Sequence, residues 1–284
     1  MEHKNNSEDT GVLYICPTPI GNLEDITLRV LRVLKKVDLV ACEDTRRTGQ
    51  LLNYYQIQKR MISYHEHNEV TRTDELISFL ESGLDIALVS DAGTPGIADP
   101  GFVVVRAALK YGIRVTALPG PCAAISALVM SGLPTDRFLF YGFLPRKATK
   151  RVAEIERLRG NDGTLVFYEA PHRIIPCLAD LLRVLGPRPA ALIRELTKMH
   201  EQMWTGTLEE LLDRATDCPP KGEIVLLVQG AKEEETMSNH DVVKLVRELM
   251  ELGLDKKTAI TVTAKQTNLP KKDVYDQVVE LPPY

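Results

Sequence analysis

Short apolar runs alternate with amphipathic helical stretches along most of this 284-residue chain, and that order constrains the fold more than any other feature. The runs are rich in β-branched residues, which is typical of buried parallel strands. In the first half they lie at 12–16, 37–42, 86–90 and 113–118. Amphipathic stretches such as 26–34, with Asp25 as a candidate N-cap, separate them. The order predicts an α/β fold with a mostly parallel sheet.

The pattern pauses at 132–150, where Gly, Pro and basic residues gather, and then resumes. Further strands are predicted at 164–168, 190–194 and 223–229, and helices at 174–185 and 208–215. We therefore expect an N-terminal α/β domain at residues 12–133 and a second α/β domain at 134–232, behind a disordered polar leader at 1–11.

After the acidic run 233–235, three short helices are predicted at 241–252, 256–267 and 271–280. This tail, residues 236–284, has two interpretations. It is either a small helix-turn-helix-like module or a helical lid packed on the second domain.

Composition argues against several classes of protein. The net charge of −4 gives no overall attraction to nucleic acid. No apolar run approaches the roughly 18–20 residues that span a bilayer, and the N-terminus lacks the apolar core of a signal peptide, so we expect a cytoplasmic protein. The five cysteines are scattered, which argues against disulfides and structural zinc. His65 and His67 have no third ligand nearby, so no metal is expected.

Two loops at predicted strand ends have the composition of ligand-binding loops. The first, residues 90–101, contains three glycines that let the backbone approach a ligand, and two aspartates that suit a polar or cationic one. In open α/β sheets ligands bind beyond the carboxyl ends of strands, where this loop lies. A Gly/Pro-rich turn with Asp caps is the structural alternative.

The second loop, residues 118–127, runs from a strand end into a helix start, and Pro121 suits the first helical turn. Free N–H groups there would meet a carboxylate or an adenine edge, although tight helix–strand packing explains the same residues. A third loop, 17–22, follows the first strand. No G-x-G-x-x-G follows that strand, and neither a P-loop nor a G-x-S-x-G motif is present, which argues against dinucleotide, NTPase and hydrolase sites.

Several motifs occur in a fixed order: PTPIGNL at 17–23, EDTR at 43–46, HEHNE at 65–69, the loops 90–101 and 118–124, FYE at 167–169 followed by His172 and Arg173, RELTK at 194–198, and KGE at 221–223. Taken together they resemble the tetrapyrrole-methylase superfamily, and more closely its branch that 2′-O-methylates small-subunit ribosomal RNA. The resemblance spans about residues 12–230, and the helical tail is also similar to that branch.

The resemblance implies two α/β domains with S-adenosyl-L-methionine in the cleft between them, and a homodimer. It implies that the substrate is a ribose 2′-hydroxyl of a cytidine, nucleotide 1402, in the decoding region of 16S rRNA in the small ribosomal subunit. The implied cofactor contacts are Pro19, Gly21, Asp91, Gly93, Thr94, Asp99, Pro119, Cys122, Ala123, Tyr168, Glu195, Leu196, Thr197 and Gly222.

A ribose hydroxyl is a poor nucleophile, so a base, or a cation that stabilises the developing alkoxide, is expected beside it. Our candidates are Glu169 or Glu223 as base or orienting group, with Arg194 or Lys221 as the electrostatic partner. Each of them would equally suit an inter-domain ion pair.

Two other functions stay open at this point: a methyltransferase of the same fold acting on a tetrapyrrole or another small molecule, and a non-catalytic ribosome-assembly factor. Two clusters of basic residues favour the RNA substrate. They are Arg146, Lys147, Lys150 and Arg151, and in the tail Lys256, Lys257, Lys265, Lys271 and Lys272.

Overall fold

The computed structural model describes residues 10–231, 239–267 and 270–278. Most of the predicted leader and the acidic run 233–235 lie outside these residues. The chain forms two compact units, Met1–Gly230 and Ala231–Tyr284. Within the described ranges, no helix has both the length and the apolar character needed to cross a bilayer.

The first half of the larger unit contains one sheet and five helices. Its strands are β1 (Val12–Ile15), β2 (Leu39–Cys42), β3 (Arg60–Ser63), β4 (Ile86–Val89) and β5 (Arg114–Ala117). Its helices are α1 (Leu28–Lys36), α2 (Thr45–Tyr54), α3 (Glu69–Glu81), α4 (Phe102–Lys110) and α5 (Ala123–Met130). All strands run parallel in the order β3-β2-β4-β1-β5, which confirms the predicted parallel sheet.

The start of α1 differs from the prediction. The Thr27 side chain accepts a hydrogen bond from the Val30 N–H, so Thr27 is the N-cap, while Asp25 ends a short 3-10 helix. Both α2 and β3 were absent from the sequence-based prediction. Only Thr48 and Leu52 of α2 are buried, and only Ile62 of the edge strand β3, so neither segment shows a strong apolar period.

The second half contains another five-stranded sheet. Its strands are β6 (Phe138–Phe143), β7 (Thr164–Glu169), β8 (Pro189–Arg194), β9 (Gln202–Thr207) and β10 (Ile224–Val228). Its helices are α6 (Ala148–Leu158), α7 (Ile174–Leu185) and α8 (Leu208–Asp217). The predicted pause at 132–150 thus contains β6 and the beginning of α6.

The order of this sheet is β6-β7-β10-β8-β9, and only the β6–β7 pair is parallel. The other three pairs are antiparallel, unlike the pattern that alternating strands and helices predict. The connection from β8 to β9 contains no helix, and a parallel pair needs a longer crossover, so these neighbours pair antiparallel.

Helix α5 follows the first sheet in sequence but packs on the second. Its small residues Ala124 and Ala127 are buried against Val166, Ile193 and Val225 of the second sheet. Helices α6, α7 and α8 cover the opposite face of that sheet and form a separate core. The two sheets therefore meet through α5, close to the predicted domain boundary at 133/134, which stays a prediction.

The smaller unit contains the three predicted helices, α9 (Asn239–Glu251), α10 (Lys256–Gln266) and α11 (Lys271–Gln277). Residues 279–280 of the third predicted helix lie outside the described part. The helices share a core of Val242, Val246, Ile260 and Val274. This core explains the fold of the tail, while its two interpretations, as a helix-turn-helix-like module or as a lid, both stay predictions.

Candidate active site

A cleft of about 710 Å³ lies in the larger unit between the loops of the first sheet and the face of the second sheet that packs on α5. The first half contributes Ile20, Glu43, Arg47, Asp91–Thr94, Ile97–Asp99, Cys122 and Ala123. The second half contributes Phe143, Tyr168–Pro171, Ile193, Glu195, Leu196, Lys198 and Gly222–Val225.

The three loops singled out in the sequence come together at this cleft. Thr18 and Gly93 exchange two backbone hydrogen bonds, of 2.8 and 3.0 Å. The Thr94 hydroxyl donates to the Pro121 carbonyl at 2.9 Å. Gly93 has a φ of +79°, a conformation that favours glycine, and its missing side chain leaves the backbone open to a ligand.

The N-terminus of α5 forms part of the wall. The N–H groups of a first helical turn have no carbonyl partner within the helix and carry partial positive charge. The N–H of Ala124 donates to the Tyr168 hydroxyl at 3.2 Å, which links the two sheets. Burial raises the pKa of Tyr168 to about 12, so its hydroxyl stays protonated at neutral pH. Cys122 and Ala123 face the cleft beside this link.

Three carboxyl groups, those of Glu43, Asp91 and Asp99, line the cleft on the side of the first sheet. Asp91 is paired with Arg47 at 3.1 Å and accepts the Asp44 N–H at 3.1 Å. Burial, followed by the charges of Glu43 and Asp91, raises the pKa of Asp99 to about 7. Burial and Asp91 likewise raise the pKa of Glu43. This wall contains three carboxyl groups and the single guanidinium of Arg47, so it is suited to a cation.

The turn after β8 is backbone-strained. Glu195 and Thr197 have φ values of +52° and +63°, which residues other than glycine rarely adopt. The Glu195 carboxylate accepts the Glu223 N–H at 2.9 Å and lies 3.1 Å from Lys198 Nζ. Gly222, with a φ of +85°, passes so close that a Cβ there would overlap the Glu195 side chain. The turn and the 222–223 segment therefore hold each other in place.

Glu169 is 3% exposed and lies where β7 reaches the cleft. Its Oε1 accepts the Ala170 N–H at 2.8 Å and lies 3.3 Å from Arg173 Nε. Its Oε2 is buried and has no hydrogen-bond partner among the described residues. Along β7, Tyr168 faces the cleft and Phe167 packs in the core under α6, α7 and α8, so the Glu169 side chain points to that core, where burial and the Glu169 charge raise the pKa of Cys177.

The structure brings most, but not all, of the predicted site residues to the cleft. Glu223 lies at the rim, where its 77% exposed side chain is 2.9 Å from Lys198. The Arg194 guanidinium lies outside the lining and donates to the Lys221 carbonyl at 3.0 Å and to Gln202 Oε1 at 2.9 Å. The Lys221 side chain is exposed and also lies outside the lining.

Four predicted cofactor contacts likewise lie outside the lining: Pro19, Gly21, Pro119 and Thr197. Thr197 Oγ1 accepts the Asn22 N–H at 3.1 Å, and a Cβ at Gly21 would lie 2.8 Å from the same oxygen. Gly21 and Thr197 thus join the first loop to the second sheet. The other predicted contacts, from Asp91 to Gly222, all face the cleft.

Sequence reasoning gave no role to Arg47 or Phe143, although both line the cleft. Arg47 directly follows the EDTR motif, and this position in the sequence could have identified it as a site residue. Phe143 ends an aromatic run that lies within the predicted pause at 132–150, to which sequence reasoning assigned no role in the site. His65 and His67 lie at a turn with ring centroids 6.0 Å apart, and no group of three or more metal ligands occurs within the described ranges.

The fold and the cleft define a two-sheet α/β protein whose candidate ligand site lies between its sheets. The profile described as Tetrapyrrole (Corrin/Porphyrin) Methylases matches residues 12–212. The chain belongs to this family. It is an S-adenosylmethionine-dependent methyltransferase.

Relatives match nearly the whole chain. The protein named Ribosomal RNA small subunit methyltransferase I of Escherichia coli O157:H7 is 44% identical, with 98% of each chain covered. Its namesake from Synechocystis is 46% identical, with 95% of this chain and 98% of the relative covered.

Solved structures share the fold. Diphthine synthase has a TM-score of 0.62 at 17% identity, over 78% of this chain and 90% of that one. A Thermus thermophilus uroporphyrin-III C-methyltransferase complexed with S-adenyl homocysteine has a TM-score of 0.52 at 22% identity, over 77% and 97%.

The residues of the cleft fit the cofactor. S-adenosylmethionine carries a sulfonium, an ammonium and a carboxylate. The carboxyls of Glu43, Asp91 and Asp99 match its positive charges, while the first turn of α5 suits its carboxylate or an adenine edge. Gly93 and Ala123 leave room for close approach.

The raised pKa of Asp99 predicts that cofactor affinity depends on pH. A cation binds the ionised carboxylate better, so affinity should rise with pH as Asp99 loses its proton, and level off above pH 7. Isothermal titration calorimetry between pH 5.5 and 8.5 measures this dependence. The cofactor's own amino group titrates near pH 8, so the comparison is with Asp99→Asn, which should lack the rise. Identical profiles for the two proteins would show that Asp99 does not face the cofactor.

Proposed function

We propose that this enzyme transfers the methyl group of S-adenosylmethionine to a ribose 2′-hydroxyl of small-subunit ribosomal RNA, at cytidine 1402 of the decoding region. The observation that carries the proposal is the 42–46% identity, over almost the full chain, to proteins named Ribosomal RNA small subunit methyltransferase I. The intact cleft supports a catalytic role over that of a non-catalytic assembly factor, because an assembly factor needs no cofactor site. Such a substrate places the enzyme in the cytoplasm.

We assign cofactor binding to the residues that line the cleft. The acidic wall of Asp91 and Asp99 orients the positively charged part of the cofactor, and Cys122 and Ala123 present backbone N–H groups. On the side of the second sheet, Leu196 lines the cleft with an apolar side chain, and Gly222 allows the backbone to pack closely there. Pro19, Gly21, Pro119 and Thr197 support these loops from behind.

Bound S-adenosylmethionine supplies a methyl group on a positively charged sulfur, and the chain supplies alignment and electrostatics. Alignment of reactants lowers a barrier by roughly 7–11 kcal/mol. A positioned base adds about 10²–10⁴-fold. Of the candidates for base or orienting group, Glu169 fits an orienting role, because its carboxylate pairs with Arg173 on the side of the sheet away from the cleft.

Glu223 is the alternative base, with Lys198 beside it at 2.9 Å. Arg194 acts through the 221–223 segment, because its guanidinium holds the Lys221 carbonyl. Lys221 itself, exposed next to the rim, is suited to the substrate phosphate or the developing alkoxide.

Exposed apolar side chains support a homodimer. On α4 and α5, Phe102, Leu109, Ile125 and Val129 are all exposed. Large apolar side chains exposed on two helices favour an interface between proteins. Sedimentation equilibrium should give twice the monomer mass, and Val129→Asp should lower it.

The local positive charge suits RNA despite the acidic total. Arg146, Lys147 and Lys150 are exposed, but Arg151 is not part of that surface, because it is 5% exposed and pairs with Asp180 at 2.7 Å. In the tail, Lys257, Lys265, Lys271 and Lys272 are exposed. We propose that both surfaces contact phosphates.

The methylation itself is tested by mapping 2′-O-methyl groups as alkali-resistant linkages in 16S RNA. Cells lacking the enzyme should lose one such linkage at cytidine 1402, and the wild-type chain should restore it. Gly93→Val should fail to restore it, because the side chain fills space that the cofactor needs. Gly96→Val is the matched control, since Gly96 shares the loop and the positive φ, 84° against 79°, but does not line the cleft. A linkage that persists without the enzyme would refute the assignment.

The catalytic assignment predicts that substitution of the base lowers kcat much more than it changes the cofactor Kd. Glu169→Gln and Glu223→Gln keep the side-chain shape and remove the charge. The variant that removes the base should lower kcat by about 10²–10⁴-fold with little change in cofactor Kd, the behaviour of a group that acts in the transition state. Arg194→Ala and Lys221→Ala are measured in parallel. Near-normal turnover in all four variants would exclude all four residues from catalysis. If Glu169→Gln instead weakened cofactor binding more than turnover, Glu169 would be a cofactor ligand.

Phosphate contacts predict a dependence on salt. Affinity for the small subunit should fall with salt, at a log–log slope of about −0.7 to −0.9 per contact. In the full-length chain, Lys271→Ala combined with Lys272→Ala should make the slope shallower without changing cofactor Kd. Lys35→Ala with Lys110→Ala, two exposed lysines of the larger unit, is the control pair. An unchanged slope in the tail variant would remove these lysines from the RNA contact.

A further inference from the structure

The end of β6 places an exposed aromatic side chain at the cleft. Phe143 lines the cleft and is 54% exposed. Residues three apart in a regular strand point to opposite faces of the sheet. Here Phe140 and Phe143 both contact the Tyr168 ring, with centroid distances of 5.0 and 5.7 Å.

A β-bulge produces this arrangement. The register of β6 against β7 shifts between Phe140 and Gly142, and Gly142 has a φ of +79°. An extra residue in one strand re-aims the side chains that follow it, and bulges are frequent beside active sites. Without the bulge, Phe143 would point to the face that packs on α6 and α7.

The contacts of Phe143 hold its ring in place and leave part of it free. It meets Tyr168 edge to face, at 62°, and Tyr168 is itself fixed by Phe140 and by the Ala124 N–H. The free part of the ring can bury further apolar area against a ligand. A rigid, half-exposed ring at a cleft mouth is therefore a surface made for a flat apolar ligand.

The residues that follow Phe143 in the sequence indicate that this ligand is negatively charged. Arg146, Lys147 and Lys150 are exposed, and none of them pairs with a carboxylate in the part of the chain that the structure describes. Positive charge in the segment that follows an exposed aromatic ring complements a base with its phosphates. S-adenosylmethionine contains no phosphate, so these cations favour RNA over the cofactor's adenine as the occupant.

Two arginines, Arg151, which is buried, and Arg173, which is partly buried, fix this basic segment. Arg173, paired with Glu169, donates to the Leu144 carbonyl at 2.6 Å. Arg151, paired with Asp180, donates to the Arg146 carbonyl at 3.3 Å. The segment after Phe143 is thus anchored to the same Glu169 that lines the cleft.

We propose that Phe143 is a stacking platform for a nucleobase of the RNA strand that enters the cleft, with Arg146, Lys147 and Lys150 holding the adjacent phosphates. The inference rests on the proposed function, and it adds the contact that selects an unpaired nucleotide. A 2′-hydroxyl can reach a cleft between two sheets only if its nucleotide is splayed from its neighbours. Unstacked bases of single-stranded RNA are held by stacking on aromatic side chains.

The experiment measures methyl transfer to small subunits isolated from cells that lack the enzyme. Loss of one base–aromatic stack weakens binding by about 5- to 150-fold. Phe143→Ala should therefore raise KM for the particle within that range and leave cofactor Kd, measured by calorimetry, unchanged. Phe143→Trp should keep KM near the wild-type value, whereas Phe143→Leu, which keeps apolar volume and removes the ring, should behave like Phe143→Ala. Phe138→Ala is the matched control, a Phe of the same strand that is 43% exposed and outside the cleft lining.

The possible results distinguish a failure of the stacking platform from a failure of the proposed function. A wild-type enzyme that methylates the particle, together with a Phe143→Leu variant of normal KM, overturns the stacking platform alone. A rise in cofactor Kd that matches the loss of methylation also overturns it, because Phe143 would then hold the cofactor's adenine. A wild-type enzyme that transfers no methyl group to the particle overturns the proposed function and the platform with it.

Discussion

The packing of helix α5 against the second sheet is the contact on which the site depends. Ala124 and Ala127 have side chains small enough to let the helix lie close to Val166 and Val225. That approach puts the first turn of α5 within hydrogen-bond reach of Tyr168. A bulkier face would move the helix away and open the cleft, since close-packed interiors do not absorb extra volume. Small residues here serve both the fold and the ligand.

The two walls of the cleft are held by different physical means. On the first sheet, the 90–101 loop is fixed by the backbone hydrogen bonds between Thr18 and Gly93 and by side-chain contacts of Asp91 and Thr94. On the second sheet, the strained turn at Glu195 is held by a carboxylate that accepts the N–H of Glu223. Strained backbone of this kind persists where the surroundings over-determine it, and it is concentrated at functional sites. Both arrangements leave little freedom to reorganise when a ligand binds.

Buried charge in the second half connects the cleft wall to the basic segment. The pairs Glu169–Arg173 and Arg151–Asp180 lie beneath the chain that leads from β6 into α6. Buried ion pairs add little to net stability, because desolvation offsets their attraction, yet they fix geometry. The same arginines donate to carbonyl groups of that segment, so the cleft wall and the basic segment share one support.

The sequence by itself determined four of the five strands of the parallel first sheet, the three tail helices and the loops that meet at the cleft, because each follows from local periodicity or from an ordered set of motifs. The tertiary structure alone decided the antiparallel pairing of the second sheet, the edge strand β6 and the burial of Arg151. It also decided that Arg194 and Lys221 lie outside the cleft lining while Arg47 and Phe143 belong to it. These features depend on where distant segments pack and on a single bulge in β6, and no local pattern encodes contacts between residues so far apart in the chain.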